Sequence, residues 1–132
     1  MSQHNLKIVR GLYDAWSQDP EAFFAALDEN VEWRFADNFV YGEVNPIIGR
    51  EAVRSGSVRH LKTEWDDFDG IASEFLDAGD QVVVLGHYVG MYKATEKRMR
   101  AQFVHIWTLA NDKITRWRQS VDTKAFADTM RK

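Results

Sequence analysis

The feature that most constrains this chain lies in its second half, where four long runs with strand character follow one another across turn-sized gaps. The runs cover about Phe68–Leu76, Gln81–Tyr92, Met99–Leu109 and Lys113–Val121. The gaps read Asp77-Ala78-Gly79-Asp80, Ala94-Thr95-Glu96-Lys97 and Ala110-Asn111-Asp112, all of turn-forming composition. Connections this short join antiparallel strands, so the chain commits nearly half its length to an antiparallel meander.

Facing residues follow from register. With Thr95-Glu96 as a two-residue hairpin loop, Tyr88 opposes Phe103, Gly86 opposes His105 and Val84 opposes Trp107, and the bare Gly86 leaves room beside the His105 ring. The other face then carries Val83, Leu85, His87, Val89 and Met91 against Val104 and Ile106. Both faces are largely apolar, whereas an antiparallel sheet with one wet face alternates more cleanly. The helices can cover one face; a second copy of the chain is the expected cover for the other. In the last hairpin, a strict two-residue turn at Asn111-Asp112 puts Arg116 and Arg118 on the His105 face. A three-residue loop with Asp112 left-handed puts Trp117, Gln119 and Val121 there instead. Two arginines against the core are costly, which favours the second register.

Ahead of the meander the pattern is helical. Leu6, Val9, Tyr13 and Trp16 recur at spacings of three and four, one apolar stripe. Asp19-Pro20-Glu21 combines an N-cap, a proline at the first helical position and an acid in the first turn, and starts a second helix carrying Phe23, Phe24 and Leu27. Val31, Trp33 and Phe35 alternate with Glu32 and Arg34 as in a strand. Asp37 to Pro46 reads as a loop with three apolar residues, Phe39, Val40 and Tyr41. A third helix is expected from Gly49 to about Leu61, weakened at Gly56, and a last one from Asp122 or Thr123 with Phe126 and Met130 on one face. Helices followed by a meander make an α+β chain. No linker or repeat divides its 132 residues, so residues 1–132 read as one domain.

Composition removes several classes of function. There is no cysteine, hence no disulfide, thiolate metal site or cysteine nucleophile. The net charge is −3 with scattered basic residues, so no nucleic-acid partner is expected. No run approaches the roughly 20 apolar residues of a membrane span and the start lacks the apolar run of a signal peptide, so the expected location is cytoplasmic. No His-Glu-x-x-His, Gly-rich phosphate loop or Gly-x-Ser-x-Gly elbow occurs, so no metal and no cofactor is expected.

The runs Phe103-Val104-His105-Ile106-Trp107-Thr108-Leu109, Asn111-Asp112-Lys113-Ile114 and Trp117-Arg118-Gln119-Ser120-Val121-Asp122-Thr123 resemble the C-terminal signature of SnoaL-like proteins, of the wider nuclear transport factor 2-like superfamily. Tyr13-Asp14-Ala15-Trp16, Asp28-Glu29-Asn30-Val31-Glu32-Trp33 and Ile48-Gly49-Arg50-Glu51-Ala52-Val53 fit the same pattern. The resemblance covers nearly the whole chain in order. It implies a cone-shaped α+β barrel, with N-terminal helices on the concave face of a curved, mainly antiparallel sheet and a pocket at the wide end. Relatives include ketosteroid isomerase, polyketide cyclases, scytalone dehydratase and limonene-epoxide hydrolase, together with plain binding and association modules; dimerisation through the outer sheet face is common. Where the cyclases place an acid/base Asp, this chain aligns Gln119; where ketosteroid isomerases keep their base, it has Trp33. Neither can exchange a proton at neutral pH. Tyr13 matches the isomerases' oxyanion-donating tyrosine.

His105, flanked by apolar residues on a central strand, is the leading acid/base candidate, with Tyr13 as a phenolic donor and Gln119 to orient it or a ligand. Trp33, Phe35, Tyr88, Phe103, Trp107 and Trp117 are the expected ligand-binding walls. Asp37 and Glu43 could reach in from the loop as carboxylate bases or simply be solvated; Asp122 reads as an N-cap; His4, His60 and His87 read as surface or interface residues. Two functions stay open. One is a cofactor-free isomerase, cyclase or dehydratase acting by proton transfer on a small apolar carbonyl compound. The other is a non-catalytic ligand-binding or association module with the same pocket.

Overall fold

A computed structural model describes residues 2–56 and 58–132. Residue 57, inside the helix expected from Gly49 to Leu61, lies outside the described residues. The elements run α1 (Ser2–Gln18), α2 (Pro20–Ala25), β1 (Leu27–Arg34), β2 (Ile47–Ile48), α3 (Arg50–Ser55), α4 (Val58–Thr63), β3 (Trp65–Ala78), β4 (Gln81–Tyr92), β5 (Lys97–Ala110), β6 (Lys113–Val121) and α5 (Thr123–Met130). Helices pack on one curved, unclosed six-stranded sheet of order β2-β1-β6-β5-β4-β3, antiparallel except where β1 runs parallel to β6. This is the expected α+β cone.

The local signals act as read. Asp19 caps α2, its carboxylate accepting from Ala22 N at 3.3 Å, with Pro20 in the first turn. Asp122 caps α5, accepting from Ala125 N at 3.0 Å. The expected third helix is two short ones: at Gly56 the backbone leaves the helical region (φ −88°, ψ −146°), and a Cβ there would sit 2.7 Å from Ala52 O. β3 begins three residues before the expected Phe68. Trp65 and Asp66 pair with Tyr92 and Met91, and the register then shifts before Asp69 at left-handed Asp67 (φ 55°). That bulge hides the first strand residues behind a polar, turn-like stretch.

Both hairpins depart from the expected turns, with different consequences. Between β4 and β5 the loop holds four residues rather than two, since Tyr92 pairs with Lys97. Every pairing is therefore displaced by two residues: Val84 opposes His105, Gly86 opposes Phe103 and Tyr88 opposes Ala101. A two-residue slip preserves the faces but changes the neighbours. Gly86 makes room for Phe103 and not for His105; a Cβ there would lie 2.7 Å from the Phe103 ring and 2.1 Å from Ile71 O. Between β5 and β6 the turn is the two-residue one, with Asn111 and Asp112 both left-handed (φ 51° and 64°). A register shift beyond Leu109 and Ile114 then restores the favoured faces, with His105 opposite Gln119 and Trp107 opposite Trp117.

The concave side holds the core, where α1 crosses β3 and β4 and α5 lies on β5. The loop after β1 joins this core: Phe39 and Tyr41 are buried, Phe39 meets Phe126 with ring centres 4.9 Å apart, and Asn45 ties the loop to β1 through Phe35 N and O. That accounts for its apolar composition. On the convex side Val83, Leu85, His87, Val89, Met91, Val104 and Ile106 are half-buried, and Ile71 and Leu76 are exposed. Among the described residues no helix is long and apolar enough to cross a membrane.

Candidate functional site

Three of the four central polar residues come from β4, β5 and β6 and one from α1. The His105–Gln119 pairing sets two of them side by side on the concave face, and Tyr88 shares that face one strand over. Tyr13, on the apolar stripe of α1, closes over them. The His105 ring is held from both ends: Nδ1 lies 2.7 Å from the Tyr13 hydroxyl and Nε2 lies 2.6 Å from the Tyr88 hydroxyl. Trp107 Nε1 donates to the Tyr13 oxygen at 2.8 Å. Gln119 Nε2 donates to the Tyr88 oxygen at 2.9 Å, while its Oε1 accepts from Ala36 N at 3.2 Å. Phe103 lies flat on the imidazole, with ring centres 3.8 Å apart and planes 4° apart.

Burial governs the electrostatics. With no carboxylate beside it, His105 is pushed well below the ordinary imidazole value by loss of water and is neutral at physiological pH. Burial also raises the Tyr13 and Tyr88 phenols, against the N–H bonds each receives from Trp107 and Gln119. Every member of the chain is therefore uncharged at physiological pH.

The site borders a cavity of about 70 Å³ lined by Tyr13, Tyr88, His105 and Gln119 and by an apolar wall that includes Trp33, Phe35, Trp107 and Trp117. That is smaller than the roughly 150 Å³ of a cavity that admits benzene, so a ring-sized guest requires the walls to part. All three expected catalytic positions converge here, as do five of the six expected wall residues. Phe103 is the exception: it backs the His105 ring instead of facing the cavity. His105, expected as the acid or base, lines the cavity with both ring nitrogens bonded to phenols. Tyr88, expected as a wall, is a hydrogen-bonding partner of His105. Register alone could not reveal that, since the opposed residues are Tyr88 and Ala101.

Leu12, Trp16, Phe23, Phe39, Val58, Leu61 and Phe68 also line the cavity. Helix periodicity marked Trp16, and the apolar loop marked Phe39. Asp37 and Glu43 are exposed and do not line it. His4 pairs with Asp112 and His60 with Glu64 at the surface. Among the described residues no cluster of three or more His, Asp or Glu is placed to hold a metal.

Residues 9–117 match the family profile described as a SnoaL-like domain. No curated protein matches the chain. Among solved structures, an NTF2-like protein from Burkholderia thailandensis is similar at 28% identity and TM-score 0.89, over 96% of this chain and 97% of that one. TerC, co-crystallized with polyporic acid, is similar at 25% identity and TM-score 0.82, over 96% of this chain and 97% of that one. A protein of ketosteroid isomerase-like fold from Catenulispora acidiphila, in complex with trimethylamine, shares the fold at 15% identity and TM-score 0.76, over 92% of this chain and 90% of that one.

Proposed function

Because this chain belongs to the SnoaL-like domain family, a small-molecule-binding fold, we propose that its cavity takes a small, largely apolar molecule through a carbonyl-type oxygen and moves protons on it without a cofactor. Tyr13 and Tyr88 are the groups that meet the ligand, His105 is the relay between them, and Gln119 positions Tyr88. The observation that carries this reading is one neutral imidazole bridging two phenols at 2.7 and 2.6 Å beside a cavity. The balance is simple. One phenol gives its proton to the ligand oxygen and is refilled from the imidazole N–H. The imidazole refills its other nitrogen from the second phenol, which collects a proton from elsewhere on the ligand. The net change is a proton shift, the step common to isomerases, cyclases and dehydratases. The similarity to TerC, co-crystallized with polyporic acid, supports a small-molecule occupant of this pocket.

The absence of any carboxylate among the cavity-lining residues favours a second reading, binding without turnover. Conversion of 3-cyclohexen-1-one to 2-cyclohexen-1-one, followed by absorbance, separates the two. The relay predicts conversion that falls by about a hundredfold or more in Tyr13→Phe/Tyr88→Phe and falls in His105→Gln. Binding of the ketone with no conversion supports the second reading; conversion unchanged in these variants removes the relay.

We further propose that the convex face is covered by a second copy of the chain, supported by its two-sided apolar sheet and the exposure of Ile71 and Leu76. Sedimentation should show a dimer that Ile106→Glu converts to monomer; a monomeric wild type removes this proposal.

A further inference from the structure

The hydrogens in the His105 chain can be counted, and the count does not close. An indole N–H only donates, so Trp107 places one hydrogen on the Tyr13 oxygen. The Gln119 amide cannot be flipped: its Oε1 faces the Ala36 N–H, which only donates, so its Nε2 places a hydrogen on the Tyr88 oxygen. Between these phenols sits an imidazole with one N–H and one lone pair, both nitrogens in contact. At one contact the phenol donates to the ring. At the other the ring donates to the phenol, whose oxygen then receives two hydrogens while its own O–H has no use inside the chain. Either tautomer leaves one hydroxyl hydrogen over. The two contacts are near-equal in length and each phenol receives one N–H, so neither tautomer has an evident advantage.

Resting on the pocket reading above, we infer that the cavity offers one hydroxyl hydrogen at a time, carried by Tyr13 or by Tyr88 according to the His105 tautomer, and that its ligand is a small apolar molecule presenting one acceptor oxygen. A buried O–H without an acceptor is unfavourable, and both tyrosines line the cavity. An incoming carbonyl at either end draws the hydrogen to that end and sets the tautomer. The site is thus an acceptor-binding site with two positions and one hydrogen to share between them.

The test needs no natural ligand. In Tyr13→Phe without ligand, a proton on Nδ1 leaves one unmet N–H, whereas a proton on Nε2 leaves both the Tyr88 O–H and the Nδ1 lone pair unmet, so the proton rests on Nδ1 until a ketone accepting from Tyr88 draws it to Nε2. Tyr88→Phe does the reverse. Nitrogen NMR of ¹⁵N-histidine-labelled protein should therefore show opposite His105 tautomers in the two variants. Cyclohexanone should bind about tenfold more tightly than its hydrocarbon isostere methylenecyclohexane in wild type and in both single variants, and with no preference in Tyr13→Phe/Tyr88→Phe. The same tautomer in both single variants, or a ketone preference lost in one of them, overturns the inference and leaves the proposed function standing. No ketone preference even in wild type overturns both. If the double variant does not fold, the wild type and the two single variants decide alone.

Discussion

The two halves of the cavity wall use the same residue type to opposite ends. At the His105 end, the Trp107 indole N–H bonds to the Tyr13 oxygen and belongs to a polar chain. At the β1 end, Trp33 and Trp117 are paired across the parallel strands and stack at 4.2 Å and 22°, yet neither indole N–H has an acceptor in the protein. Buried indole N–H groups ordinarily find a partner. Trp33 and Trp117 thus contribute ring area and close packing, whereas Trp107 also acts through its nitrogen. One half of the wall sets shape, and the other sets where hydrogens go.

Removing ring area should give the largest effect. Trp117→Ala should destabilise the fold by about 3–5 kcal/mol, read by chemical denaturation; a loss below about 1 kcal/mol would mean that the stacked half is not packed as described. Next comes acidification, which acts on the polar half alone. The unfolded chain protonates His105 near pH 6.5 and the folded chain does so only well below it, so between those values the unfolded state holds the extra proton and stability falls as pH falls. From about pH 7.5 to about pH 5 this amounts to up to about 2 kcal/mol. His105→Gln should lack that share of the decline; an identical decline in both proteins would show His105 to be unperturbed. The smallest effect compares the nitrogens directly. Trp107→Phe should cost about 0.5–1.5 kcal/mol more than Trp117→Phe, because only the former gives up a hydrogen bond, and equal costs would erase the distinction between the halves.

Much of this was legible before the structure, for reasons that can be named. Caps at Asp19 and Asp122 and the strand bounds Gln81–Tyr92 and Lys113–Val121 rest on local signals that packing left alone. The cost of burying Arg116 and Arg118 selected the correct faces for β6, although the device was a two-residue turn with a register shift and not a three-residue loop. The β4–β5 register was missed because Thr95-Glu96 does not specify a tight turn, and the loop closes with Glu96 left-handed (φ 58°). Since that slip preserved the faces, His105, Tyr13 and Gln119 were still brought together. The role of Tyr88 was not legible: its hydroxyl reaches the imidazole diagonally across strands, a matter of side-chain length and twist that pairing rules do not express.

If the His105 chain meets a ligand through its tyrosines, a bound ketone should lie against them. A crystal structure of the protein soaked with cyclohexanone tests this most directly. The ketone should lie in the cavity with its oxygen within hydrogen-bonding distance of the Tyr13 or Tyr88 hydroxyl. A ketone bound with its oxygen turned toward Trp33 and Trp117, away from both phenols, would contradict this role of the tyrosines.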